Sequence, residues 1–116
     1  MAQNFKNLRI YREAYLLAKD VYNELKEIDK HFRLKDQLFG STTSVCANIA
    51  EMSSMDNKNQ QRQKITICIG EANETEVWLD LCKDFNLISE VSYDDYLHRN
   101  RKIRMMLYTL KNSLKY

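Results

Sequence analysis

Residues 41–51, Ser-Thr-Thr-Ser-Val-Cys-Ala-Asn-Ile-Ala-Glu, decide how the chain is read, because they put small and hydroxylated side chains where a bundle helix ordinarily carries leucine. Positions three and four apart share a helix face, so Ser41, Ser44 and Asn48 line one stripe, and Glu51 follows three residues later. Such a stripe is either exposed or a buried polar seam between helices. The rest of the sequence favours helix throughout. Its 116 residues include no proline and only two glycines, Gly40 and Gly70, so the residues that punctuate hairpins and tight turns are missing.

Upstream of this stretch, Tyr11, Ala14, Tyr15, Ala18, Val21, Tyr22, Leu25 and Ile28 recur at three- and four-residue spacing. That spacing, sustained over several turns, predicts a long amphipathic helix from Leu8 to Ile28. Asp29, Lys30 and His31 interrupt the pattern as a short connection to a second helix, which carries Leu34, Leu38, Val45, Ile49 and Met52 inward. Ser54 or Asp56 is suited to cap a third helix running from about Asn59 to Phe85. Its inward set is Ile65, Cys68 or Ile69, Ala72, Thr75, Leu79 and Cys82, and Asn86 is placed to take the left-handed cap conformation. Ser92 with Asp95 resembles a capping box that opens a fourth helix with the stripe Tyr96, Ile103, Leu107, Leu110 and Leu114. Helices of roughly 20 to 27 residues span roughly 30 to 40 Å. Joined by short loops, four of them predict an all-α, antiparallel up-down-up-down four-helix bundle, one domain over residues 1–116.

Bulk charge says little, since 18 basic and 16 acidic side chains leave a formal charge of +2. Its distribution says more. Glu71, Glu74, Glu76, Asp80 and Asp84 cluster with the single base Lys83, whereas beyond Leu97 come Arg99, Arg101, Lys102, Arg104, Lys111 and Lys115 without an acid. The basic segment is either a solvated face or an electrostatic footprint for RNA or DNA phosphates, with Arg62 and Lys64 extending it. The acids are read as a solvated face or as salt bridges to another subunit. The alternative from another class is a magnesium-dependent nucleotide hydrolase using Glu51, Glu71 and Glu74, which needs a second carboxylate set on a neighbouring helix. Asp95 and His98 have the spacing used by di-iron bundles, but only one such pair exists.

Cys46, Cys68 and Cys82 are odd in number and lack C-x-x-C spacing, which fits reduced thiols packed as small hydrophobes. His31 and His98 sit at element ends and complete no nucleophile–base constellation with them. No catalytic residue, metal site or cofactor is expected. The apolar runs fall far below the roughly 20 residues needed to cross a bilayer, and the amino terminus lacks a leader's apolar stretch, so the expected location is cytoplasmic, without membrane contact.

Three blocks in order carry a family resemblance. The first is Phe5, Leu8, Ile10, Tyr11, Ala14, Ala18, Val21 and Tyr22. The second is Gln37, Ser44, Asn48, Ile49, Ala50 and Glu51, and the third is Gly70, Glu74, Glu76 and Leu79, followed by Leu87 and Ile88. Together they resemble the four-helix bundle proteins encoded in intervening sequences of bacterial 23S ribosomal RNA, a family similar in turn to the accessory variability determinant of diversity-generating retroelements. The resemblance implies a left-handed four-helix bundle that assembles into a ring, commonly a homo-pentamer, with no enzymatic activity. It also implies a role beside nucleic acid, or as a scaffold in a ribonucleoprotein or reverse-transcriptase-like assembly; the other binding role is a protein-only adaptor. Phe39 and Gly40 stand where the family usually has basic residues, and Met52 where it has glycine.

Within these blocks Ser44, Asn48, Glu51 and Glu74 are read as a structural motif in which Asn48 and Glu51 pin helix register. Partners for Asn48 are sought in Ser44 on its own helix, or in Thr75 and Glu74 across the bundle. Phe39 and Trp78 are read as interface residues, Trp78 because it lies beside Leu79 but off the main stripe. Tyr11, Tyr15 and Tyr22 are core or interface aromatics, or else stacking platforms for single-stranded bases.

Overall fold

A computed structural model describes residues 4–114. After a short 3-10 turn at Phe5–Asn7 come α1 (Arg9–Leu25), α2 (Phe32–Ser53), α3 (Lys58–Asp84) and α4 (Glu90–Ser113). No strand occurs among the described residues. The particle measures 45 × 21 × 20 Å, and α3 alone, at about 1.5 Å per residue, runs nearly its full length. Each helix packs on its sequence neighbours and α1 closes against α4, which makes a four-helix bundle.

Cross-helix contacts give the direction of every helix pair. Lys64, Cys68 and Thr75 on α3 meet Glu51, Val45 and Ser41 on α2, one series rising as the other falls. Likewise Arg62, Ala72 and Asp80 meet Lys111, Asn100 and Tyr93 on α4. Glu13, Asp20 and Glu24 on α1 meet Lys102, Arg99 and Tyr96. Neighbouring helices are therefore antiparallel, and α1 and α3, across the diagonal, run the same way.

The third helix buries Ile65, Cys68, Ile69, Ala72, Thr75, Leu79 and Cys82, the set its periodicity predicts. It ends in a Schellman motif. Asn86 takes φ 60°, the Leu87 N–H donates to the Cys82 carbonyl and the Asn86 N–H to that of Lys83. Its first turn differs from expectation, because Asn57, not Ser54 or Asp56, supplies the cap by accepting from the N–H groups of Asn59 and Gln60. The fourth helix also begins earlier than the Ser92 box suggests. Ser89 caps it through the Ser92 N–H, so Ser92 and Asp95 lie inside the helix.

The larger correction concerns α1. Its buried line is Ile10, Ala14, Leu17, Val21 and Leu25, while Tyr15 and Tyr22 are 51% and 52% exposed. The aliphatic line wins the core because a tyrosine hydroxyl needs a partner there. Tyr96 on α4 shows the condition for burial: its hydroxyl donates to Glu24 at 2.6 Å. The helix is also shorter than predicted, ending at Leu25, and Ile28 lies in the connection, where its carbonyl accepts from the Lys35 ammonium.

Candidate functional site

Three regions hold the residues that composition and spacing single out. The first is the polar stretch of α2. Ser41 and Thr42 are buried and return their hydroxyls to the Leu38 carbonyl, while the Thr75 hydroxyl on α3 donates to Ser41 Oγ at 2.8 Å. Asn100 on α4, 2% exposed, donates to the Ala72 carbonyl at 2.9 Å. A polar layer thus links α2, α3 and α4 inside an apolar core. Asn48 donates to Ser44 Oγ at 3.0 Å and to the Ser44 carbonyl at 2.9 Å, whereas the exposed Glu51 pairs with Lys64 at 2.7 Å. Asn48 and Glu51 are therefore joined to different partners, and Thr75 serves Ser41 instead of Asn48. Asn100 escaped the sequence reading, although it fills the gap between Tyr96 and Ile103 at helical spacing.

The second region is the α3–α4 surface, where the acidic run of one helix meets the basic run of the other. Arg101 binds Glu76 with two bonds of 3.0 and 3.2 Å, and Arg104 reaches the same carboxylate at 3.3 Å and Asn73 at 2.9 Å. These cations hold the Glu76 carboxyl below its ordinary range, the Arg101 hydrogen bond being the largest cause. Arg99 joins Asp20 at 2.9 Å and Asp95 at 3.2 Å, and Lys102 approaches Glu13 at 3.8 Å. Arg62 donates to the Lys111 carbonyl. Arg62, Lys64, Arg99, Arg101, Lys102 and Arg104 thus have partners within the subunit, the Lys111 ammonium makes no ion pair among the described residues, and Lys115 falls outside them. Tyr93 donates to Asp80, which pushes its hydroxyl up to about 12, and the Lys83 ammonium lies 4.6 Å from the Tyr93 ring centroid.

The carboxylates weighed for magnesium chemistry are spread over α2 and α3, with Glu74 exposed on the outer face of α3. Glu51 is beside Lys64, seven residues and about 10 Å of helix from Glu71. Burial, reinforced by the neighbouring Glu74 carboxylate, raises Glu71 above its ordinary value. Among the described residues no three His, Cys, Asp or Glu side chains converge as a metal site. The thiols are poor nucleophiles: burial pushes Cys46 and Cys82 up to about 11 and Cys68 up to about 12. No helix among the described residues is long and apolar enough to cross a membrane.

The third region is a cleft of about 540 Å³ between α1 and α2. The aromatic side chains of Tyr11, Tyr15, Tyr22 and Phe39 line it together with the small residues Ala18, Thr42, Thr43, Cys46, Ala47 and Ala50. Tyr22 and Phe39 pack at 5.4 Å between ring centroids, and Phe5 closes one end edge-on to Tyr11 at 5.0 Å. Phe39 is half-buried in this lining rather than freely exposed. Lys19 is the one charged side chain on the rim and makes no ion pair among the described residues. Trp78 lies elsewhere, half-buried on α3, with its indole N–H buried and without an acceptor. The cleft was illegible because its tyrosines share the heptad spacing of a core stripe.

Among solved structures, the chain is similar to a protein of unknown function from the S23 ribosomal protein family of Bacteroides thetaiotaomicron. The TM-score is 0.81 at 24% identity, over 89% of this chain and 95% of that one. At that identity the likeness speaks for the fold. No curated protein matches the chain. Its sequence matches the model of the 23S rRNA-intervening sequence proteins over residues 6–109, and the chain belongs to that family.

Proposed function

We propose that this protein is a non-enzymatic assembly module: a bundle that homo-oligomerises, with a pentamer as the state the family resemblance favours, and serves as a scaffold for larger particles. One observation carries this reading, the aromatic cleft left uncovered between α1 and α2 while Arg99, Arg101, Lys102 and Arg104 of α4 are already paired with acids of their own subunit. Exposed apolar ground of this kind is costly in a monomer and is ordinarily covered by a partner. Light scattering on the purified protein tests it. The expected mass is about five times the 13.8 kDa of one chain, and a monomer at all concentrations overturns the reading.

Association with RNA or DNA is a second reading, favoured by the concentration of Arg99, Arg101, Lys102 and Arg104 on α4. Phosphates would have to compete with Glu76, Asp20 and Glu13 for these cations. The expected binding is therefore weak, steeply lowered by salt, and reduced by Arg101→Glu and Arg104→Glu. Binding that ignores salt, or none on either nucleic acid, removes it.

A further inference from the structure

The outward faces of α1 and α3 match in a way that names the occupant of the cleft. On α3 the exposed stripe is Ile67, Gly70, Glu74 and Val77, with Ile67 and Val77 46% and 50% exposed. On α1 the exposed line beside the cleft is Arg12, Tyr15, Lys19 and Tyr22, whose spacing of three, four and three residues is the same. Laid parallel, the two lines put Gly70 against the Tyr15 ring, Val77 against Tyr22, Ile67 along the aliphatic stem of Arg12, and Glu74 against Lys19. Neither Glu74 nor Lys19 makes an ion pair among the described residues, and Glu74 is crowded by Glu71. A cation from outside relieves that crowding.

Gly70 supports the match independently. It sits in mid-helix with φ in the ordinary range, and a Cβ added there meets nothing within 4 Å, so nothing inside the subunit requires a glycine. A helix interior disfavours glycine, whereas the close approach of a bulky ring from another molecule favours it.

We infer that the α3 stripe Ile67–Val77 of one copy docks in the α1–α2 cleft of the next, with a Glu74–Lys19 ion pair across the contact. The inference rests on the homo-oligomer reading and supplies its interface. The fold allows the parallel alignment: α1 and α3 run the same way, so rotation about an axis along the bundle presents α3 of one copy to α1 of its neighbour without reversing either. Two different surfaces then meet, a heterologous contact that propagates head to tail and closes into a ring.

The test is a charge-swap cycle read by light scattering and sedimentation. Lys19→Glu and Glu74→Lys are each expected to weaken assembly about tenfold or more, and the double variant to recover most of the loss. Gly70→Leu is expected to leave a folded subunit, since its side chain enters open space, while abolishing assembly. If the wild type assembles but the single variants and Gly70→Leu keep its mass, the α3 docking is overturned and the oligomer reading stands. Failure of the double variant to recover overturns the Glu74–Lys19 register. A monomeric wild type overturns both the docking and the reading beneath it.

Discussion

The α1–α2 and α3–α4 contacts use different chemistry. Between α3 and α4, polar bonds run from the core outward: Asn100 to the Ala72 carbonyl, Arg101 and Arg104 to Glu76, Tyr93 to Asp80. Between α1 and α2, among the described residues, no side-chain hydrogen bond or ion pair joins the helices; Lys35 reaches only the connecting loop, at Ile28. There the contact is aromatic and aliphatic, and its outer half is open. One contact is closed by its own hydrogen bonds and ion pairs. The other retains apolar area, and apolar area favours any partner that removes it from water. Charge density in a sequence is thus a poor guide to a binding face when the opposite charge lies one helix away.

The comparison is sharpened first at the inner end of the α3–α4 contact. Asn100→Ala removes a buried hydrogen bond and leaves a cavity, with an expected loss of about 2 kcal/mol in denaturant unfolding. A loss within experimental error would mean that the polar layer contributes little. Moving outward, Glu76→Gln strips Arg101 and Arg104 of their carboxylate. Because the site is partly exposed, the expected cost is about 1 kcal/mol or less at neutral pH. Its pH dependence is more telling. The folded state holds Glu76 below its ordinary value, so its contribution is complete above that value and is lost as pH falls through the lower folded one. The variant should lose that part of the acid limb, and an unchanged limb would break the comparison.

The smallest effect is expected at Tyr93→Phe, roughly 0.5 kcal/mol or less. The native hydroxyl titrates higher in the folded state, at about 12, so its contribution persists to the ordinary tyrosine value and disappears as pH rises from there. Alkaline unfolding curves of the two proteins should converge at high pH. None of the three residues lines the open cleft or belongs to the exposed α3 line Ile67, Gly70, Glu74 and Val77, Glu76 being turned toward Arg101 and Arg104 of α4, so the oligomeric mass is expected to remain that of the parent.

Legibility followed how much choice each residue had. The inward set of α3 could be read in full because its other face carries Lys, Glu, Asn and Asp with only isolated apolar residues, and Asn86 because few residues other than glycine take a left-handed cap. In α1 two apolar lines compete, Ile10–Leu17–Val21 and Tyr11–Tyr15–Tyr22, and periodicity alone does not rank them. Burial of a tyrosine depends on an acceptor such as Glu24, whose position relative to Tyr96 exists only after α1 and α4 have packed. The same holds for the basic run on α4. Its sequence shows five cations from Arg99 to Lys111 without an acid between them, while the surroundings of Arg99, Arg101, Lys102 and Arg104 are set by acids of α1 and α3.

Four helices, their order and their short connections follow from local rules: three- and four-residue spacing, capping side chains and the absence of proline. Those rules act between neighbours in the chain, which is why they can be read along it. Which apolar line faces the core, which charges are neutralised and which cleft stays open depend on groups 13 to 76 residues apart, such as Asp80 with Tyr93 and Asp20 with Tyr96. Those pairings arise when the helices settle into register, because hydrogen bonds and ion pairs act over a few ångströms of space whatever the distance along the chain.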